Sequence, residues 1–315
     1  MLENENKRIA TRDSYGNTLV ELGKEYENVV VLDADLAGAT KTGIFKAVFP
    51  ERHIDCGIAE GNMMTVAAGI STTGVVPFAS SFAMFAAGRA FEQARNSIGY
   101  PHLNVKICAT HAGISVGEDG ATHQCNEDIA LMRTIPGMVI ISPSDDREAR
   151  EAVKAAYEYQ GPVYLRFGRL PIPVFNDRED YSFQIGKGVV LREGTDISLI
   201  ATGLEVYETL QAAERLKQDG ISAKVINIHT IKPLDEKLIV MAAKETGKVV
   251  TIEEHSVIGG LGSAVCDTLA SCHNVSVMKI GVMDTFGESG PALELLSKYG
   301  LDAESIYEKV KAFCE

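Results

Sequence analysis

Between His111 and Gln124 the chain reads HAGISVGEDGATHQ, a stretch with two histidines, two acids and three glycines. It is too polar and too flexible for a core. Imidazoles in such a loop can exchange protons or bind hydroxyls near neutral pH, and a carboxylate such as Asp119 accepts hydrogen bonds. No HxxxH or HxH spacing supports a metal site. His111, Asp119 and His123 therefore read as a proton-handling or hydroxyl-binding set, with a solvated polar loop as the plain alternative.

Glu60 follows Gly57-Ile58-Ala59 and opens an otherwise apolar helix. It is either an acid favoured by the helix dipole or a carboxylate in an apolar pocket, its pKa raised so that it trades a proton near neutrality. Phe82, Phe85 and Arg89 fall at i, i+3 and i+7, which predicts one shared helix face. Two rings and a guanidinium on one face suit a flat aromatic ligand, although a Phe pair at that spacing is commonly core. Asp33 and Asp35 end an apolar strand, where aspartates also cap turns. Arg166 and Arg169 close another strand and could clamp a phosphate. Gly259-Gly260-Leu261-Gly262-Ser263 lacks the GxGxxG spacing of a dinucleotide loop and predicts a tight strand-to-helix turn. His53, His229 and His255 stand isolated.

Elements must carry these residues, and the hydrophobic pattern supplies them. It predicts strands at 29–35, 75–78, 103–109, 138–142 and 163–167. Helices are expected at 60–71, 83–98 and 127–133, and through Ala149, Ala152, Val153 and Ala156. Apolar strands separated by helices imply a mostly parallel sheet covered on both faces, with the polar loop at the carboxyl ends of its strands. Leu170-Pro171-Ile172-Pro173 and the polar run 176–180 break this texture. A second alternation follows, with strands at 197–202, 223–228, 249–253 and 275–280 and two closing helices. The expected fold class is two α/β domains, 1–175 and 187–315, joined by a linker at 176–186.

The 315 residues suit two such domains. A net charge of −13 and a pI near 5.1 argue against nucleic acid or an anionic membrane as partner. Six cysteines without a CxxC pair read as reduced thiols of a cytoplasmic protein. The amino terminus is too polar for a secretory signal, and no apolar run is long enough to span a bilayer.

Ala10-Thr11-Arg12, Asp33-Ala34-Asp35-Leu36, the segment from Gly57 to Glu60, Phe82 with Phe85, and above all Gly117-Glu118-Asp119-Gly120-Ala121-Thr122-His123-Gln124 form one set. With them the chain resembles the carboxyl-terminal half of a transketolase over essentially its whole length. The resemblance implies a thiamine-pyrimidine-binding, mostly parallel sheet followed by a smaller, Rossmann-type C-terminal domain. It implies a ketol transferase of the pentose phosphate type. Such an enzyme passes a two-carbon unit from a ketose phosphate to an aldose phosphate through a thiamine diphosphate ylide. Glu60 is then expected at N1′ of the aminopyrimidine, with Phe82, Phe85 and Asp35 beside the cofactor. His111, Asp119 and His123 are expected around the sugar hydroxyls and the reacting carbon. Arg12, with Arg166 or Arg169, is expected at the substrate phosphate.

The family's other half binds Mg2+ through a Gly-Asp-Gly segment, and no such triplet occurs here. The resemblance therefore implies an N-terminal transketolase subunit that supplies the Mg2+ and diphosphate site, in a heterotetramer with two copies of each chain. Some positions depart from the family pattern. Gly57-Ile58-Ala59-Glu60-Gly61 is closer to 1-deoxyxylulose-5-phosphate synthase, and the segment after Phe85 runs out of frame by about one residue, so Arg89 carries over poorly. Ala39 or Thr40 stands where many members place a phosphate-contacting Ser. The alternatives are half of such a synthase, the β subunit of a 2-oxo acid dehydrogenase, or a non-catalytic interaction protein. His111 speaks against the first, Thr122-His123-Gln124 against the second, and the filled Glu60 position against the third.

Overall fold

The computed structural model describes residues 7–177, 181–272 and 274–315. Residues 178–180 of the expected linker, and the first six of the polar amino terminus, lie outside the described residues. After helix α1 (Thr11–Glu25), apolar runs form the strands Val29–Asp33 (β1), His53–Asp55 (β2), Val76–Phe82 (β3), Lys106–Thr110 (β4), Val139–Ile141 (β5) and Val163–Arg166 (β6). Their spatial order is β5-β6-β4-β3-β1-β2, all parallel. Helices α2 (Glu60–Ser71), α3 (Asp128–Arg133) and α4 (Asp146–Glu158) make three of the crossovers, and shorter helical segments within 37–48 and 84–99 make the other two. Parallel strands reached through such crossovers all present their carboxyl ends at one edge, and loops there can converge.

β3 runs four residues past its expected end at 78. Ala79, Ser80 and Ser81 look loop-like in sequence, yet all are buried, and the Ser80 hydroxyl lies 2.6 Å from the Tyr15 hydroxyl. A satisfied buried hydroxyl is tolerated in a sheet covered on both faces.

The helix expected at 83–98 is broken into wide turns. Met84–Arg89 and Ala94–Gly99 are π-helical, separated by a short α segment at Phe91–Gln93. The Ala90 amide donates to the Phe85 carbonyl at 3.1 Å, and the Tyr100 amide to the Arg95 carbonyl at 2.8 Å, both spanning five residues. Each such turn absorbs one extra residue without shifting the flanking helix. This arrangement corrects the expectation of one shared face, because Phe82 ends β3 while Phe85 and Arg89 ride the π-turn.

The second half builds its own sheet from Val189–Arg192 (β7), Ile197–Ala201 (β8), Ala223–Asn227 (β9), Lys248–Ser256 (β10) and Ser276–Val282 (β11). The order is β11-β10-β8-β9-β7, with only β7 antiparallel. Helices α5 (Glu205–Gln218), α6 (Glu236–Thr246), α7 (Leu261–Leu269), α8 (Ala292–Lys298) and α9 (Ala303–Cys314) flank it. One strand crosses over: Thr230–Lys232 pairs antiparallel with β5 and extends the first sheet. Gly259 to Ser263 is the tight turn expected, since the Glu253 carboxylate accepts from the Leu261 and Gly262 amides (2.6 and 2.8 Å) at the start of α7. Among the described residues, no helix is long and apolar enough to cross a membrane.

Candidate active site

Glu60 is the first residue of α2 and is only 1% exposed. Arg89 Nη1 donates to both of its carboxylate oxygens, at 3.1 and 3.0 Å. The same guanidinium lies 4.8 Å from the centre of the Phe85 ring, so the π-turn places Arg89 between the ring and the acid. Spacing sets Arg89 on one face with Phe85, and the two side chains do meet; the poor fit to the family pattern is what undervalues it.

The aromatic cluster continues inward. Phe82 and Phe85 stack with centroids 5.9 Å apart, and Phe82 stacks on His111 at 3.8 Å. His123 meets Phe85 edge-on at 5.3 Å and Phe82 at 6.3 Å. Residues from three segments thus converge at the strand ends: Glu60 from α2, Phe82 and Phe85 from the end of β3 and the turn after it, and both histidines from the loop after β4.

His111 has φ of +56°, a left-handed conformation that costs a non-glycine residue about 1–2 kcal/mol. It faces Arg12, whose Nη1 lies 2.8 Å from His111 Nε2. A guanidinium can only donate, so Nε2 accepts; the ring proton then sits on Nδ1 and donates to Thr110 Oγ1 at 2.9 Å. Burial, with Arg12 and Arg169 nearby, pushes the His111 pKa down to about 3. The ring is a fixed neutral acceptor. His123 is half-buried, with its Nδ1 2.9 Å from Thr122 Oγ1.

The two arginines at the end of β6 separate clearly. Arg166 is 6% exposed and ion-paired with Asp128 at 2.9 Å; it also donates to the Glu254 carbonyl at 2.8 Å. Tyr164 donates to the same Asp128 carboxylate at 2.8 Å. Two Arg166 nitrogens, Nε and Nη2, are therefore committed to a buried network at the place where a phosphate clamp was expected. Arg169, three residues on, is over a third exposed and pairs with Glu118 at 2.7 Å while donating to the Val116 carbonyl. Asp35 and Asp119 both stand exposed. The loop carrying Asp35 is organised by its buried neighbour Asp33, which accepts from the Leu36 amide, Thr40 and Thr42 at 2.5, 2.6 and 2.8 Å. Burial pushes the Asp33 carboxyl up.

A parallel sheet with flanking helices, and a polar and aromatic cluster at its strand ends, defines an α/β protein of the doubly wound class. The model of the transketolase pyrimidine-binding domain matches residues 7–173, and that of the transketolase C-terminal domain matches 186–306. A proposed transketolase C-terminal section from Methanocaldococcus jannaschii is 54% identical over 301 residues, covering 95% of this chain and 94% of that protein. A 6-deoxy-6-sulfo-D-fructose transketolase subunit from Clostridium sp. (strain MSTE9) is 43% identical over 295 residues, covering 94% and 91%. A solved structure of a split-gene transketolase, an inactive β4 tetramer, superposes with a TM-score of 0.89 at 52% identity, covering 96% of this chain and 98% of that one. The chain belongs to the transketolase family.

Proposed function

We propose that this chain is the pyrimidine-binding subunit of a two-chain transketolase, carrying a two-carbon ketol unit from a ketose phosphate to an aldose phosphate. The observation that carries the reading is a buried Glu60 beside the stacked Phe82 and Phe85, with His111 and His123 against the same rings. An acid able to bond a ring nitrogen, next to two aromatic faces, fits the aminopyrimidine of thiamine diphosphate. When bound, that cofactor supplies the nucleophilic carbon and the electron sink for cleavage beside a ketone.

Glu60 would hold a proton at a carboxylate oxygen toward N1′ of the ring. Arg89 now occupies both oxygens, so it must share or yield one. Phe82 and Phe85 would exclude water from that exchange. His123 would stand at the sugar, whereas His111, held neutral with Nε2 on Arg12 and Nδ1 on Thr110, would orient a hydroxyl only by exchanging its Arg12 bond. Asp119 would accept from another hydroxyl. Arg12 and Arg169 would hold the phosphate, and Asp35 would sit at the cofactor's edge.

An N-terminal transketolase subunit would supply the diphosphate site and the Mg2+ ligands, two copies of each chain assembling in the cytoplasm. Two names support a partner: the split-gene tetramer of the second chain is inactive, and the archaeal relative is a C-terminal section. One relative is named for 6-deoxy-6-sulfo-D-fructose, which favours testing donors besides pentose phosphates. The test is ketol transfer from xylulose 5-phosphate to ribose 5-phosphate with thiamine diphosphate and Mg2+, by this chain alone and with an N-terminal subunit. Transfer only by the pair is expected. Cofactor binding without transfer would overturn the substrate, and no cofactor binding would overturn the enzyme.

A further inference from the structure

We propose that the C-terminal domain acts as a template for the catalytic loop, with Gln124, Glu254 and Gly287 as positioning residues for Asp119 and His123. This rests on the transketolase reading above. The loop leaves β4 at Thr110 and meets the second domain at both of its ends. At its start, the buried Glu254 of β10 accepts from the Ser115 amide at 2.5 Å. A Cβ on Gly113, at φ +80°, would overlap that carboxyl group.

At its end, a single amide closes the loop. Gln124 Nε2 donates to the carbonyls of Ile114 (3.1 Å), Gly117 (3.4 Å) and Glu288 (2.9 Å), the last on the turn before α8. Gln124 Oε1 is buried without a partner and faces Gly287, where a Cβ would overlap it. Gly120, at φ +74°, lies where a Cβ would overlap Ser289 Oγ. Helix α8 packs against the 3-10 turn Ile114–Asp119.

A glycine-rich loop has many conformers of its own, and fixing each residue costs about 1–2 kcal/mol. Local bonds such as those of the Gly120, His123 and Gln124 amides to Gly117 and Gly120 offset part of that cost. The second domain adds the Glu254 and Glu288 bonds and the close approach of Gly287, and its grip sets where Asp119 and His123 stand relative to Phe85. Displacing a positioned group by about 1 Å can cost on the order of a hundredfold in rate.

Gly287→Ala, Glu254→Ala and Glu254→Gln are compared in the two-chain enzyme. With Gly287→Ala, kcat should fall about tenfold or more and the sugar phosphate KM should rise, while the Kd for thiamine diphosphate stays within about twofold. Glu254→Gln keeps an acceptor for the Ser115 amide and should retain kcat, whereas Glu254→Ala should not. In the chain alone, hydrogen exchange of amides 113–124 should quicken about tenfold in Gly287→Ala, with β8 unchanged. Unaltered exchange in that variant, or an equal loss of cofactor affinity and kcat, would overturn the template. If the wild-type pair fails to transfer the ketol unit, the transketolase reading falls and exchange alone decides the template.

Discussion

His111 and the arginine pair make the sharpest claims at the scale of single residues. With its pKa pushed to about 3, His111 stays neutral where an unfolded histidine, at 6.5, takes up a proton. Between those values the unfolded state binds more protons, so stability rises with pH and is lost as pH falls below about 6.5. The slope is about 1.4 kcal/mol per pH unit for this one group. Nitrogen NMR of labelled histidines should show the Nδ1–H form of His111 without titration between about pH 5 and 8. Arg166 and Arg169 differ in kind. Arg166→Ala strands the fully buried Asp128 and should destabilise the fold by about 3–5 kcal/mol in urea unfolding. Arg169→Ala should leave stability unchanged and raise the KM of a phosphorylated substrate roughly 10–100-fold. Equal effects of the two changes on stability would contradict this division.

At the level of elements, the loop at 111–124 was legible because polar, glycine-rich sequence interrupts an apolar strand-helix alternation. Helix α2 was equally legible, since Glu60 to Ser71 keeps one period throughout. The turns after Phe82 were not, because a π-turn inserts a residue that a 3.6-residue period cannot register. Arg89 was kept by its spacing and discounted only on its fit to the family pattern, although it holds Glu60 directly. Arg166 and Arg169 looked alike in sequence, because nothing local reveals that Asp128 waits inside α3. The amino end of α4 carries a further prediction. Asp145 accepts from the Glu148 amide (2.9 Å) as a helix cap and from the Phe175 and Asn176 amides (2.9 and 2.7 Å) of the segment leading to the second domain. Asp145→Ala should cost about 2–4 kcal/mol by urea unfolding, since it removes a cap and strands two buried donors. A loss near zero would mean that those amides find water.

For the whole molecule, the alternation of strands and helices announced two α/β sheets, but not that Thr230–Lys232 would cross to the first. Three residues beside a proline carry too little pattern to name their sheet. That strand, the Arg166–Glu254 contact and the Ser115–Glu254 bond join the two domains. Chelating divalent metal from the two-chain enzyme should abolish transfer, and Mg2+ should restore it, with the stability of this chain alone unaffected. The most direct test of the account is Glu60→Gln in the reconstituted pair, measuring ketol transfer together with subunit association and thiamine diphosphate binding. The account predicts a loss of kcat of roughly 10²–10⁴-fold with assembly intact. Wild-type turnover in that variant would contradict it.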